Sequence, residues 1–249
     1  MPRKTLIITD VTAMSGDNVC IAGYDSSLTC IRPVFAKGQV KKNHLFQDDK
    51  LIIYPSAKVS FNFLSRNPQP PHSEDYIFRE GSIEYEGKAP MREWKEVLRE
   101  TAHTSFEELF PRMESRYVPP NDPGPSIGTM DLAEMPYIFC DYYKPDRPRP
   151  RIRITDTKGI IKDRIPITDL AFGGLFDYSL KKAKGDCEKA VRSINEELKG
   201  KKIYLRLGLA RPYGNIPEPY RGWCALQVNG FHTIPDLYEG AYNNWIRLE

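Results

Sequence analysis

The chain of 249 residues lacks the sequence signatures of the common enzyme classes. It has no Walker loop, no G-x-S-x-G elbow and no H-E-x-x-H or H-x-E…C-x-x-C metal motif. Its four histidines are far apart and show no ligand spacing: His44, His72, His103 and His232. His232 is the best general-base candidate, although a surface or capping role explains it more simply. Asp10, Asp156 and Asp169 could hold a metal, but turn-forming roles explain these aspartates more simply. We therefore expect a non-catalytic protein with no metal and no cofactor.

The sequence also has no C-x-x-C pair, a small net charge and no long apolar run. The five cysteines include no C-x-x-C pair, and an odd count without a framework fits reduced thiols in a cytoplasm. The start of the chain, MPRKTLIITD, has too short an apolar run for a signal peptide, and no run approaches the ~20 apolar residues of a membrane span. The net charge is only +3, from 36 basic and 33 acidic residues, so any basic surface must be local. We expect a cytoplasmic protein with no membrane partner.

Prolines and short strands are what the sequence does contain. The 21 prolines act against long helices. AKVSFNFL alternates cleanly, with Ala57, Val59, Phe61 and Phe63 on one face of a half-buried strand. Residues 90–113 change to helical spacing, with Ser105 and Glu108 as a capping box, and Asp186 and Gly200 bound a second helical stretch. Many short strands with few helices indicate small β-barrels or sandwiches.

Two strand-like runs near the end of the chain carry an unusual set of polar and aromatic residues. In KIYLRLGLA and GWCALQVNG the apolar residues alternate with a second set, which would share the outer face of a strand pair: Tyr204, Arg206, Trp223, Gln227 and Asn229. Rings stack on bases, and amides hydrogen-bond to base edges. The alternative is an ordinary sheet whose outer face is polar, with Trp223 packed under a loop.

The connection between these runs, ARPYGNIPEPYRG, is stiffened by three prolines. Arg211 and Tyr213 on a stiff loop could hold a phosphate and a base at little entropic cost. The alternative is a structural loop in which Arg211 caps carbonyl groups and the tyrosines cover the end of a barrel.

Arginines alternate in DRPRPRIRIT, where Arg147, Arg149, Arg151 and Arg153 would form one basic edge of an extended strand. Such a stripe can follow a phosphate backbone. The alternative is a charged strand edge that discourages aggregation.

The pattern LRLGLARPY…GWCALQVNGFHTIPD resembles the dual OB-containing domain family of prokaryotes, and the segment CIRPV, which adds Arg32 to the candidate contacts, also suits it. The resemblance implies two OB-like β-barrels in a mainly β fold with a few helices, a nucleic-acid recognition role, and frequent occurrence in defence-related contexts. We accordingly expect a first barrel over residues 1–145, with a helical and proline-rich insertion at about 65–125. A second barrel with one helix would occupy residues 146–249.

The sequence therefore predicts a module that binds RNA or single-stranded DNA. Its principal contacts would be Arg211, Tyr213, Trp223, Gln227 and Asn229, while Arg149, Arg151 and Arg153 would guide the backbone. Two alternatives stay open. One is a subunit that binds a partner protein, since Tyr, Trp and Arg are also hot-spot residues. The other is a nucleotide sensor or enzyme with a pocket between the barrels.

Overall fold

The computed structural model describes residues 3–144, 147–214, 216–238 and 242–247. Strand is the commonest secondary structure in this part of the chain. The strands of the first half are β1 (Arg3–Ala13), β2 (Val19–Tyr24), β3 (Cys30–Val34), β4 (Phe46–Gln47), β5 (Lys50–Leu51), β6 (Ala57–Arg66), β7 (Asp75–Phe78), β8 (Glu84–Lys88), β9 (Ala102–His103) and β10 (Tyr117–Val118). Those of the second half are β11 (Ile127–Asp131), β12 (Tyr137–Lys144), β13 (Arg147–Thr155), β14 (Ile161–Pro166), β15 (Lys202–Leu209) and β16 (Cys224–Ile234). The α-helices are α1 (Met91–Glu100), α2 (Phe106–Leu109), α3 (Leu170–Lys182) and α4 (Cys187–Leu198).

The first half closes into a five-stranded barrel. Its strands follow the order β1-β2-β3-β7-β6, and β6 also pairs with β1. The β3–β7 pair is parallel, and the other pairs are antiparallel. Alternation along β6 places Ala57, Val59, Phe61 and Phe63 in the core, as predicted. A five-stranded Greek-key barrel of this kind is an OB-like fold.

The second half repeats this strand order. Strands β12, β13 and β14 form one sheet, and β16, β15 and β11 follow one another in a second. A parallel bridge between Ile167 and Val228 joins β14 to β16, while β11 and β12 are consecutive in the chain. Helices α3 and α4 lie between β14 and β15 in the chain. The protein is thus mainly β and contains two OB-like barrels, as predicted.

The predicted helix starts and stops are present. Ser105 Oγ accepts a hydrogen bond from the backbone N–H of Glu108 at 3.3 Å at the start of α2. The Asp186 carboxylate accepts one from Lys189 N at 3.0 Å at the start of α4. After α4, Gly200 has a φ of +74°, in the left-handed region that glycine adopts at little cost. Local chemistry therefore sets these helix ends.

Strand pairing crosses the predicted domain limits. β11 and β12 precede residue 146, yet they pair with β15 and β13, which follow it. Similarly, β7 lies within the range predicted as an insertion, although it pairs with β3 and β6. The second barrel also has two helices rather than one. The division at 145–146 stays a prediction, because pairing alone does not define an independently folding unit.

The two barrels share a buried polar interface. Arg206 on β15 has no solvent exposure, and its Nε donates to Asp10 Oδ2 on β1 at 2.9 Å. Its Nη1 donates to Tyr24 Oη at 2.6 Å, and the guanidinium carbon lies 4.9 Å from the centre of the Tyr24 ring. The His232 ring contacts the Thr9 carbonyl through Nε2 at 2.8 Å. These contacts fix the first barrel on the outer face of β15 and β16.

This docking corrects the prediction that Tyr204 and Arg206 lie on an open outer face. Their alternation opposite Ile203, Leu205 and Leu207 is present, but both faces of β15 are buried. Tyr204 packs with Trp94 of α1 instead. The polar face of the strand is turned toward a second barrel and not toward water.

Cys140 of β12 and Cys187 at the start of α4 form a disulfide, with Cα atoms 6.1 Å apart. The expectation of reduced thiols throughout is wrong for this pair. The two cysteines are 47 residues apart in sequence, so no spacing motif predicts this disulfide. Cys20, Cys30 and Cys224 are free thiols. Among the helices in the described ranges, none has the length and apolar character needed to cross a membrane.

Candidate nucleic-acid interface

A cleft of about 650 Å³ lies between the two barrels. Five of the nine predicted contact residues line it: Arg32, Arg211, Tyr213, Gln227 and Asn229. β3 supplies the first of these, the loop after β15 supplies the next two, and β16 supplies the amides. The first barrel adds the β1–β2 turn and the segment after β3 to the opposite wall. Residues far apart in sequence therefore meet here because one barrel is docked on the other.

The amide pair forms part of the cleft wall. Gln227 Nε2 donates to Asn229 Oδ1 at 2.8 Å. Asn229 is buried rather than exposed, because Thr12 of the first barrel packs against it and donates from Oγ1 to its backbone carbonyl at 3.2 Å. Gly208 lies opposite Gln227, and a Cβ there would lie 2.4 Å from Asn229 Nδ2. Glycine at 208 is thus what leaves room for the Asn229 side chain.

The floor of the cleft contains an ion pair and a carboxylate network. Arg32 Nε lies 3.5 Å from Asp75 Oδ1. Next to them, Glu74 accepts from the backbone N–H of Ser126 at 2.7 Å and from its hydroxyl at 2.6 Å. The Ser126 hydroxyl is also 3.2 Å from His72 Nδ1. Burial, together with Arg32 and Arg211, lowers the pKa of His72 to about 2, so this histidine is neutral and adds no positive charge.

The arginine stripe on β13 lies elsewhere, beside aromatic residues of β12. In the antiparallel register Arg153 is opposite Tyr137, Arg151 is opposite Phe139, and Arg149 is opposite Asp141. Directly opposed residues share a face. Arg151 pairs with Asp141 at 3.2 Å and Arg153 with Asp163 at 2.9 Å. The side chain of Arg147 lies outside the described residues.

The rings and guanidinium groups continue from β12 along the second barrel, where Tyr117 itself is buried. The Arg164 guanidinium lies 6.0 Å from the Phe139 ring, and Arg116 Nη1 donates to the Arg164 carbonyl at 2.8 Å. Arg116 in turn lies 5.6 Å from the Tyr117 ring. We call the complete set the arginine–aromatic row: Tyr137, Phe139, Arg164, Arg116, Tyr117, Tyr220 and Trp223.

The far end of the row is the proline-rich loop. Tyr220 stacks on Tyr117 with ring centres 4.9 Å apart, and Trp223 meets Tyr220 edge-on at 5.4 Å. Trp223 is half-buried: part of its side chain packs against the Tyr117 cluster, and part stays exposed. The nine predicted residues are therefore divided: five line the cleft, Trp223 belongs to the row, and the three arginines lie on β13 beside the β12 end of the row.

Sequence reasoning missed most of the row. In MPYIFCDYY, Tyr137 and Phe139 alternate with the buried Ile138, and this available signal was not used. Arg164 had no sequence signal, because only the fold brings it beside Phe139, and its contact with Arg116 joins residues 48 positions apart. Within the described ranges, no three His, Cys, Asp or Glu side chains come together as a metal cluster.

The fold and its surfaces define a tandem OB-fold protein with a cleft between its barrels. A family model, described as the dual OB-containing domain, matches residues 4–230. The chain belongs to this family, as the sequence resemblance indicated. A search of curated proteins found no match.

Proposed function

We propose that the protein binds a single strand of RNA or DNA along the arginine–aromatic row. The observation that carries this proposal is the position of two guanidinium groups, Arg164 and Arg116, between the rings of β12 and those of the proline-rich loop. Strands β12, β13 and β14 form the first three strands of the second barrel, and OB folds bind oligonucleotides on the face of their second and third strands.

Each part of the row suits a part of a nucleotide. Tyr137 is 52% exposed and its ring lies stacked with that of Phe139, with centres 6.2 Å apart. Exposed rings of this kind contribute roughly 1–3 kcal/mol per stacked base. Arg153 and Arg164 keep more than half of their side-chain area exposed while ion-paired, so both can exchange a carboxylate partner for a phosphate.

The remaining predicted contacts lie in the cleft, apart from the row. We include Arg32, Arg211, Tyr213, Gln227 and Asn229 as further contacts of the same strand. A role in prokaryotic defence and a cytoplasmic location are the setting that the family resemblance and the sequence suggest. The Cys140–Cys187 disulfide removes one argument for that location.

The experiment compares two residues of the row, Tyr137 and Trp223, with a control tyrosine that is as exposed as Tyr137. Tyr137→Ala and Trp223→Ala should each weaken binding of a fluorescent single-stranded oligonucleotide about tenfold, since 1.4 kcal/mol is a factor of ten. Tyr178 is 55% exposed on α3, outside the row, and Tyr178→Ala should leave the affinity unchanged. RNA and DNA probes are both titrated by anisotropy, and melting temperatures are recorded. If all three variants bind alike, the row is not the binding surface.

A further inference from the structure

One ion pair in the cleft has unused hydrogen-bonding capacity. Arg32 Nε and Asp75 Oδ1 are 3.5 Å apart, and neither atom has a hydrogen-bond partner among the described residues. Asp75 is only 3% exposed, and burial raises the pKa of its carboxyl while Arg32 acts in the opposite direction. Buried polar groups are almost always hydrogen-bonded, and one that is not has a physical reason.

Arg32 Nε and Asp75 Oδ1 would gain their hydrogen-bond partners from a bound ligand. Arg32 and Asp75 both line the cleft, and the complement of a donor next to an acceptor is an acceptor next to a donor. The hydrogen-bonding edge of a nucleobase has this pattern, with a ring nitrogen or carbonyl oxygen beside an N–H. A phosphate lacks the donor, and it would be repelled by Asp75.

The rest of the cleft fits the other parts of a nucleotide. Its volume of about 650 Å³ is within the usual range for small-molecule sites. Arg211 is exposed on the loop that lines it, and Tyr213 beside it is 51% exposed. A guanidinium and a free ring suit a phosphate and the face of a base or sugar.

We propose that the cleft is a pocket for one nucleotide, with its base on Arg32 and Asp75 and its phosphate near Arg211. This proposal rests on the proposed function, since the nucleotide would be an extruded or terminal unit of the bound strand. The base edge would also reach the Gln227 and Asn229 amides, which line the same pocket.

The test uses mononucleotides as probes, so that the row plays no part. AMP, GMP, CMP and UMP are each titrated into the full chain by calorimetry, with ribose 5-phosphate and inorganic phosphate as controls. We expect at least one mononucleotide to bind tenfold or more tightly than ribose 5-phosphate. Equal affinity for the two would show a phosphate site only and would overturn the proposal.

Two variants locate the binding. Asp75→Asn keeps the shape of the side chain but replaces one acceptor oxygen with a donor, and it should weaken mononucleotide binding about tenfold. Because Asp75 is buried, its melting temperature is measured alongside, and Tyr213→Ala serves as an exposed second variant that should weaken binding without unfolding. If neither variant changes mononucleotide affinity, the ligand does not bind in the cleft.

A third variant separates this proposal from the proposed function. Tyr137→Ala should weaken oligonucleotide binding and leave mononucleotide affinity unchanged. Oligonucleotide binding that depends on Tyr137, with no mononucleotide binding at all, would leave the row standing and refute the pocket. Mononucleotide binding that depends on Asp75, with an oligonucleotide affinity that Tyr137→Ala does not change, would support the pocket and refute the row.

Discussion

The buried Arg206–Asp10 pair should be the most costly single contact to break in this protein. Arg206→Met removes the guanidinium but keeps an unbranched side chain of similar reach. Asp10 would then stay fully buried, with only the Thr9 hydroxyl, which donates to its Oδ2 at 2.6 Å, as a hydrogen-bond partner. Removing one member of a buried ion pair costs about 3–5 kcal/mol. We expect the free energy of unfolding to fall by that amount in urea titrations followed by tryptophan fluorescence.

The pH dependence of this loss provides a second measurement. Burial already raises the pKa of Asp10, and Arg206 opposes that effect. Without Arg206 the pKa of the folded state rises further, so the folded variant retains a proton that the unfolded chain releases above pH ~4. Stability of the variant should therefore fall as pH rises, by up to ~1.4 kcal/mol per pH unit. The loss relative to the native protein shrinks toward acid.

The control is the double variant Asp10→Asn with Arg206→Met, which removes both charges. It should recover a large part of the lost stability, because no unpaired charge remains in the interface. Arg206→Met that costs less than ~1 kcal/mol, or a double variant no more stable than the single one, would refute the role given to this pair.

Two further predictions concern charge. Arg151→Ala should lower the slope of log affinity against log salt by about 0.7 for a single strand; an unchanged slope would mean that Arg151 serves only its ion pair with Asp141. Burial holds the pKa of His72 at about 2 and that of His232 at about 3, whereas both are near 6.5 in the unfolded chain. The unfolded chain therefore binds more protons below pH 6.5. Each histidine should lower the free energy of unfolding by up to ~1.4 kcal/mol for every unit by which the pH is decreased below that value. Thermal melts between pH 7 and pH 5 test this, and a flat profile contradicts it.

Local features of the fold were predictable because they depend on neighbouring residues. The alternation in AKVSFNFL selects the buried face of β6, and Ser105 and Asp186 mark helix starts through hydrogen bonds to residues three positions away. The family resemblance then supplied what local patterns could not, namely two barrels of one topology.

Features that depend on distant contacts were not predictable in the same way. Alternation shows that Tyr204 and Arg206 share a face, but not whether that face meets water or protein. Asp10, which decides the matter for Arg206, is 196 residues away. The candidate site shows the same limit. Arg211 and Gln227 are close in sequence, whereas Arg32 lies near them only because the two barrels are docked.

That docking also determines how the protein would engage a long ligand. Two binding modules on a flexible linker gain affinity through an effective concentration that varies with linker length. Here the Arg206–Asp10 and His232–Thr9 contacts hold the barrels at one separation, so the distance from the cleft to the row is constant. A strand that engages both surfaces at once must therefore span this constant distance, and extra length beyond it adds no new contact.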